Sequence, residues 1–188
     1  MLLTAQNLEE YISGVILYDE TFWQSSLSDE QPFPKYLLSK DILPGIKTDI
    51  GAKDMALHPG EKVTEGLDGL RERFKKYAEA GAKFTKWRAV ITIGGGIPTQ
   101  ACIKANCHAL ARYSALAQEA GIVPMVEPEV LIDGNHTIEQ CYEVSAKTWK
   151  ILFSELQQQG VYLPGTVLKA SMVIAGKEAT EQSSPQQV

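Results

Sequence analysis

The chain has 188 residues, 44% of them hydrophobic and 22% charged, which is the balance of an ordinary soluble globular domain. Its net charge of −5 gives no electrostatic basis for nucleic-acid binding, and its start, Met1-Leu2-Leu3-Thr4-Ala5-Gln6, carries neither the basic leader of a signal peptide nor the long apolar run of a transmembrane helix. Cys102, Cys107 and Cys141 fit no disulfide framework and suit a reducing cytoplasm, while His58, His108 and His136 stand too far apart for a metal site built on local spacing.

Asn7 is placed to cap a short helix over 8–12 that stops at Ser13-Gly14, and Val15-Ile16-Leu17-Tyr18 reads as a strand running into Asp19-Glu20. A polar connection over 25–31 and Pro32-Phe33-Pro34 lead to a helical turn through Leu37-Leu38. Ile42-Leu43-Pro44-Gly45-Ile46 opens onto Lys47-Thr48-Asp49, a second short strand ending in charge, and the stretch 51–60 reads as loop. From Glu65 the period changes: Leu67, Leu70, Phe74 and Tyr77 share a helical face, with Gly81 as the stop. Residues 84–93 form the third strand, broken by Gly94-Gly95-Gly96, and Pro98 suits the first turn of a helix that turns Ala109, Leu110, Tyr113, Leu116 and Ala117 to a core. Residues 122–126 are the fourth strand, ending at Glu127-Pro128-Glu129. Thr137 and Gln140 make a capping box for a helix carrying Ile138, Cys141, Val144, Thr148, Leu152 and Leu156, and 161–168 is the fifth strand.

Strands alternating with helices or helical connections predict a parallel α/β architecture. The strand starts recur at roughly 30–40 residues, the unit of a (β/α)8 barrel. The expected fold is an incomplete (β/α)8 TIM barrel, with about five of its eight strands, strands 2 to 6, spread over residues 1–188 as one partial domain. Ser183-Ser184-Pro185 announces a further helix and Met1-Leu2-Leu3-Thr4 resembles the tail of an element, so the domain is expected to continue at both ends.

In such a barrel the site lies at the C-terminal ends of the strands. Those ends carry Asp19-Glu20, Lys47 with Asp49, Lys86 with Arg88, Glu127 with Glu129, and Lys169. Residues i and i+2 on a strand share a face, so the pairs point into one mouth. A lysine closing a buried strand is either paired with a carboxylate or neutral, and a neutral amine is a nucleophile. Lys47, Lys86, Arg88 and Lys169 gather there although the chain is acidic, which points to an anionic, phosphorylated substrate, and their proximity is expected to lower the pKa of any lysine among them. Glu127 and Glu129 offer a proton donor and a supporting carboxylate. The set describes Schiff-base chemistry on a carbonyl substrate. Asp49 reads as structural, Asp19 and Glu20 as solvent-facing, and Gly94-Gly95-Gly96 as a plain loop lacking a phosphate-binding pattern.

Gly45-Ile46-Lys47-Thr48-Asp49, Lys86-Trp87-Arg88, Val123-Pro124-Met125-Val126-Glu127-Pro128-Glu129 and Gly165-Thr166-Val167-Leu168-Lys169 resemble class I fructose-bisphosphate aldolase, as do Gly14-Val15-Ile16-Leu17 and Glu65-Gly66-Leu67-Asp68-Gly69-Leu70. The motifs run in order along nearly the whole chain. The resemblance implies that Lys169 forms the Schiff base and that Glu127 is the acid/base for carbinolamine dehydration. Lys86 would assist at the carbinolamine and hold a substrate hydroxyl, Lys47 and Arg88 would bind the phosphate remote from the ketone, and Glu129 would orient Lys169 and Glu127. It further implies a phosphorylated ketose or triose as partner, no cofactor or metal, no nucleic acid or membrane, a cytoplasmic location, and a tetramer for the full-length protein. Ala170-Ser171-Met172 stands where many relatives have Pro-Asn-Met. The family's first-strand aspartate, used for carbon–carbon cleavage, and the later serine/glycine loop and arginine for the ketone-side phosphate have no counterpart in the sequence, so the chain alone is expected to be inactive. Two other readings stay open: a truncated, non-catalytic relative acting as a binding or assembly protein, and a transaldolase-like Schiff-base lyase.

Overall fold

The apolar runs that end in charge assemble into one parallel sheet. The computed structural model describes all residues except Met1, Ser28 and Asp29, so those positions of the N-terminal stretch and of the polar connection over 25–31 lie outside the description. The sheet is built from β1 (Gly14–Leu17), β2 (Leu43–Lys47), β5 (Phe84–Ile91), β6 (Val123–Val130) and β7 (Val167–Leu168), neighbours in that order and all parallel. Between them run α1 (Asp19–Phe22), α2 (Phe33–Ser39), α3 (Leu70–Glu79), α4 (Gln100–Glu119) and α5 (Ile138–Gln158).

One face of the sheet takes Leu17, Ile46, Trp87, Ala89, Ile91, Val126 and Val130 into a core against the helices. Trp87 and Tyr113 of α4, both fully buried, meet there with ring centroids 5.4 Å apart. The expected face of α4 holds: Ala109, Leu110, Tyr113 and Ala117 are buried, and Leu116 packs partly buried against them. The α5 capping box is also present, Gln140 N donating to Thr137 Oγ1 and Thr137 N to Gln140 Oε1. Pro98, expected in the first turn of α4, precedes its cap instead: Thr99 is the cap residue, and its hydroxyl accepts from Cys102 N at 3.2 Å.

Other boundaries moved for identifiable reasons. The helix expected over 8–12 is a single 3-10 turn, Leu8–Glu10, and Asn7 makes no side-chain cap. The second strand lies earlier than expected, Leu43–Lys47, with Thr48 and Asp49 beyond it. The loop expected over 51–60 begins with a strand, β3 (Ala52–Asp54), paired antiparallel to β4 (Lys62–Thr64). β6 runs on through Pro128 to Val130. The N–H groups of Val123 and Leu131 donate to Lys83 O and Ile91 O on the β5 side, so odd positions face β5. Pro124 and Pro128 are even, and their missing N–H faces β7, whose ladder covers only Met125 and Val126. The fifth strand shrinks to two residues because Leu163–Gly165 forms a 3-10 turn.

Candidate active site

The other face of the sheet carries the charges. Register places Lys47 beside Lys86, Arg88 beside Glu127, and Met125 beside Val167, so the i, i+2 pairs and Lys169 share one side. Lys169 continues the β7 ladder, its N–H donating to Val126 O at 2.9 Å.

Glu127, 4% exposed, stands between two lysines. Lys169 Nζ donates to its Oε1, and Lys86 Nζ lies 2.9 Å from its Oε2, off the hydrogen-bond direction, so that Oε2 is buried without a hydrogen-bond partner. Burial pushes the Glu127 carboxyl up, but its contacts with Lys169 and Lys86 outweigh burial and hold its pKa below the ordinary carboxylate value. Glu127 is therefore ionised in this state and placed to accept a proton, one half of the acid/base role expected of it.

Lys169 differs from expectation in its surroundings. Its side chain is 52% exposed, on a β7 that pairs only with β6 among the described residues. The ion pair, rather than desolvation, fixes its position.

The remaining charges form two separate pairs. Lys47 Nζ donates to Asp49 Oδ1, and Arg88 Nε donates to Glu129 Oε2. The Glu129 bond raises the guanidinium pKa further. Glu129, expected to orient Lys169 and Glu127, thus engages Arg88 instead. Four cations and three carboxylates take part in these ion pairs.

Beside Lys47 and Asp49 opens a cleft of about 800 Å3, lined also by Asp19, Thr64, Arg73 and Tyr77; it reaches neither Glu127 nor Lys169. Asp19, exposed as expected, also accepts hydrogen bonds there from Tyr77 Oη and Trp23 Nε1. Burial and the Asp19 contact push the Tyr77 hydroxyl up to about 12. Sequence reasoning passed over Arg73, whose guanidinium donates to Thr48 O at 3.0 Å and to Gly66 O and so braces the turn that carries Asp49. The available signal was an arginine three residues after Leu70 and four before Tyr77, on the apolar face of its helix. Among the described residues no three His, Cys, Asp or Glu side chains are grouped to hold a metal ion, and no helix is long and apolar enough to cross a membrane.

A family model described as glycolytic fructose-bisphosphate aldolase class-I matches residues 1–188. A probable fructose-bisphosphate aldolase class 1 of Xanthomonas campestris is 58% identical over 188 residues, covering all of this chain and 56% of that protein. Cytosolic fructose-bisphosphate aldolase 6 of Arabidopsis thaliana is 46% identical over 181 residues, covering 96% of this chain and 50% of the relative. The solved structure of fructose-bisphosphate aldolase from Plasmodium falciparum, in complex with TRAP and a small-molecule inhibitor, superimposes with a TM-score of 0.93 at 42% identity, over 98% of this chain and 54% of that one. The chain spans about half the length of these relatives. With the parallel sheet, the ordered motifs and the match along its whole length, this chain belongs to the class I fructose-bisphosphate aldolase family, and its sheet is part of that family's TIM barrel.

Proposed function

We propose that the chain carries the Schiff-base portion of an aldolase site that cleaves fructose 1,6-bisphosphate reversibly to dihydroxyacetone phosphate and glyceraldehyde 3-phosphate. The observation that carries this reading is one buried carboxylate, Glu127, in contact with both Lys169 and Lys86.

Glu127 takes a proton from the Lys169 ammonium, and the freed amine adds to the C2 carbonyl of the ketose. The proton then returns from Glu127 to the carbinolamine hydroxyl, which leaves as water and gives a protonated imine. Lys86, beside Oε2, steadies the carbinolamine oxygen. The C3–C4 bond breaks as the C4 hydroxyl loses its proton; the electron pair flows into the iminium and glyceraldehyde 3-phosphate departs. Protonation of the enamine at C3 and hydrolysis of the imine release dihydroxyacetone phosphate and restore Lys169. Lys47 and Arg88 hold the phosphate remote from the ketone, with Glu129 supporting Arg88. The aspartate that the family uses for carbon–carbon cleavage has no counterpart in the sequence, and on this reading the chain by itself forms the imine without turning over the bisphosphate. The same reading puts the protein in the cytoplasm, with the full-length form a tetramer.

Borohydride trapping with dihydroxyacetone phosphate, followed by peptide mapping, tests this. The reduced adduct is expected on the peptide bearing Lys169, absent in Lys169→Ala, and slowed by roughly 100-fold or more in Glu127→Gln. An adduct on another residue, or one that survives Lys169→Ala, would sink the reading, and trapping of fructose 6-phosphate in preference would move it toward a transaldolase-like lyase.

A further inference from the structure

Asp49 has no role in the reaction as described so far, yet it is the most fully engaged carboxylate at the mouth. Its side chain is 2% exposed and both oxygens are used. Oδ1 accepts from Lys47 Nζ and from Gly51 N at 3.1 Å, and Oδ2 accepts from Arg88 N at 3.2 Å.

The last of these bonds has a structural logic. β2 pairs with β5 only as far as Lys47 and Lys86, and the next rung is Thr48 N donating to Lys86 O at 3.1 Å. Beyond that point β2 has ended, and the side chain of Asp49 supplies the acceptor that a longer strand would have offered to Arg88 N. The carboxylate is thereby anchored to β5 and to the turn at Gly51. Its remaining bond goes to the ammonium of Lys47, whose Nζ also lies 3.4 Å from Asp49 O. A lysine has three N–H donors, so this engagement leaves one direction for a ligand.

We propose that Asp49 is a positioning residue that acts through Lys47, holding its ammonium beside the strand that carries Arg88 so that the two cations meet the same phosphate. The proposal rests on the phosphate role assigned above to Lys47 and Arg88. A carboxylate beside a phosphate-binding lysine is at first sight a competitor for the cation. The competitor and the positioning residue make opposite predictions: removing a competitor tightens anion binding, whereas removing a positioning group weakens it, because a lysine free to turn must be ordered again at each binding event.

The test is a phosphorus NMR titration of the chain with inorganic phosphate, using the parent, Asp49→Asn, Asp49→Ser, Lys47→Met and the double variant Asp49→Asn with Lys47→Met, each checked for folding by circular dichroism. Asp49→Asn is expected to bind phosphate roughly tenfold more weakly. Lys47→Met should lose at least as much, and the double variant should be no weaker than Lys47→Met, the coupling expected of a group that works through its neighbour. Asp49→Ser, smaller and still an acceptor, repeats the measurement should the asparagine variant fail to fold. Unchanged or tighter binding in the folded Asp49 variants would overturn the proposal, as would losses that add in the double variant, while leaving the phosphate site itself standing. A parent chain that binds no phosphate would overturn both.

Discussion

Gly45 and Phe84 face each other in the register of β2 and β5, and the ring of Phe84 lies flat across the glycine. A Cβ added at Gly45 would stand 2.4, 2.5 and 2.7 Å from three ring carbons, about 1 Å inside ordinary contact. The ring also lies close over β1, since a Cβ added at Gly14 would stand 3.2 Å from it. An alanine at position 45 therefore forces the ring out of its present place. Forced overpacking of this kind costs about 1–3 kcal/mol, and the backbone benefit of alanine over glycine in a strand returns roughly 0.5–1 kcal/mol. Gly45→Ala is therefore expected to destabilise the chain by about 1–2 kcal/mol. Urea unfolding reads this as a lower midpoint at unchanged slope. In a Phe84→Leu background, where the clashing ring is gone, the same substitution should cost nothing or become slightly favourable. Equal penalties in the two backgrounds, or no penalty in the parent, would show that the ring does not require the glycine.

Two further outcomes follow from buried polar groups. The Tyr113 hydroxyl donates to Thr85 O at 2.7 Å and accepts from Met125 N at 3.2 Å, bridging β5 and β6 from below; Tyr113→Phe should cost about 1–3 kcal/mol in urea unfolding, and a cost near zero would mean that the two strands satisfy those groups without it. Glu127 has a folded pKa below the ordinary value of 4.5, so its stabilising contribution is complete above that pH and is lost as pH falls through the folded value. The stability gap between the parent and Glu127→Gln should accordingly be widest at neutral pH and close in acid, and a gap independent of pH would contradict the ion-pair assignment.

The parallel order of the strands was legible because each strand is an apolar run closed by charge, and each long helix carries its apolar residues at helical spacing. The β3–β4 hairpin was not, because Ala52-Lys53-Asp54 shows no alternation to read: the strand is short and mostly exposed. What places the hairpin is tertiary. Asn106 of α4 accepts from Thr64 N at 3.1 Å and donates to Lys62 O at 2.8 Å, and the buried carboxylate of Glu61 accepts from Thr99 N and Oγ1, both at 2.7 Å. Partners more than thirty residues away carry no local signal. The continuation of β6 was hidden for a different reason, since a proline argues against a central strand unless one knows which side of the ladder its missing N–H faces.

At the site, the period of two was enough to put Lys86, Arg88, Glu127 and Glu129 on one face, but not to say which charges meet. Register sets Arg88 directly opposite Glu127 and Lys86 opposite Met125. The long side chains do not pair straight across. Lys86 reaches to Glu127 and Arg88 to Glu129, each two residues further along β6 than its register partner, a diagonal that sheet geometry permits to extended side chains. That common slant explains why Glu129 meets Arg88 and touches neither Lys169 nor Glu127 directly. By engaging Arg88, Glu129 keeps the guanidinium off its register partner and leaves both oxygens of Glu127 to the two lysines. A straight pairing would have joined Arg88 to Glu127 and taken from Lys169 the carboxylate proposed to accept its proton. Glu129 thus bears on the Lys169–Glu127 pair through the cation it holds away from it, a relation set by register and side-chain length that no spacing along the chain expresses.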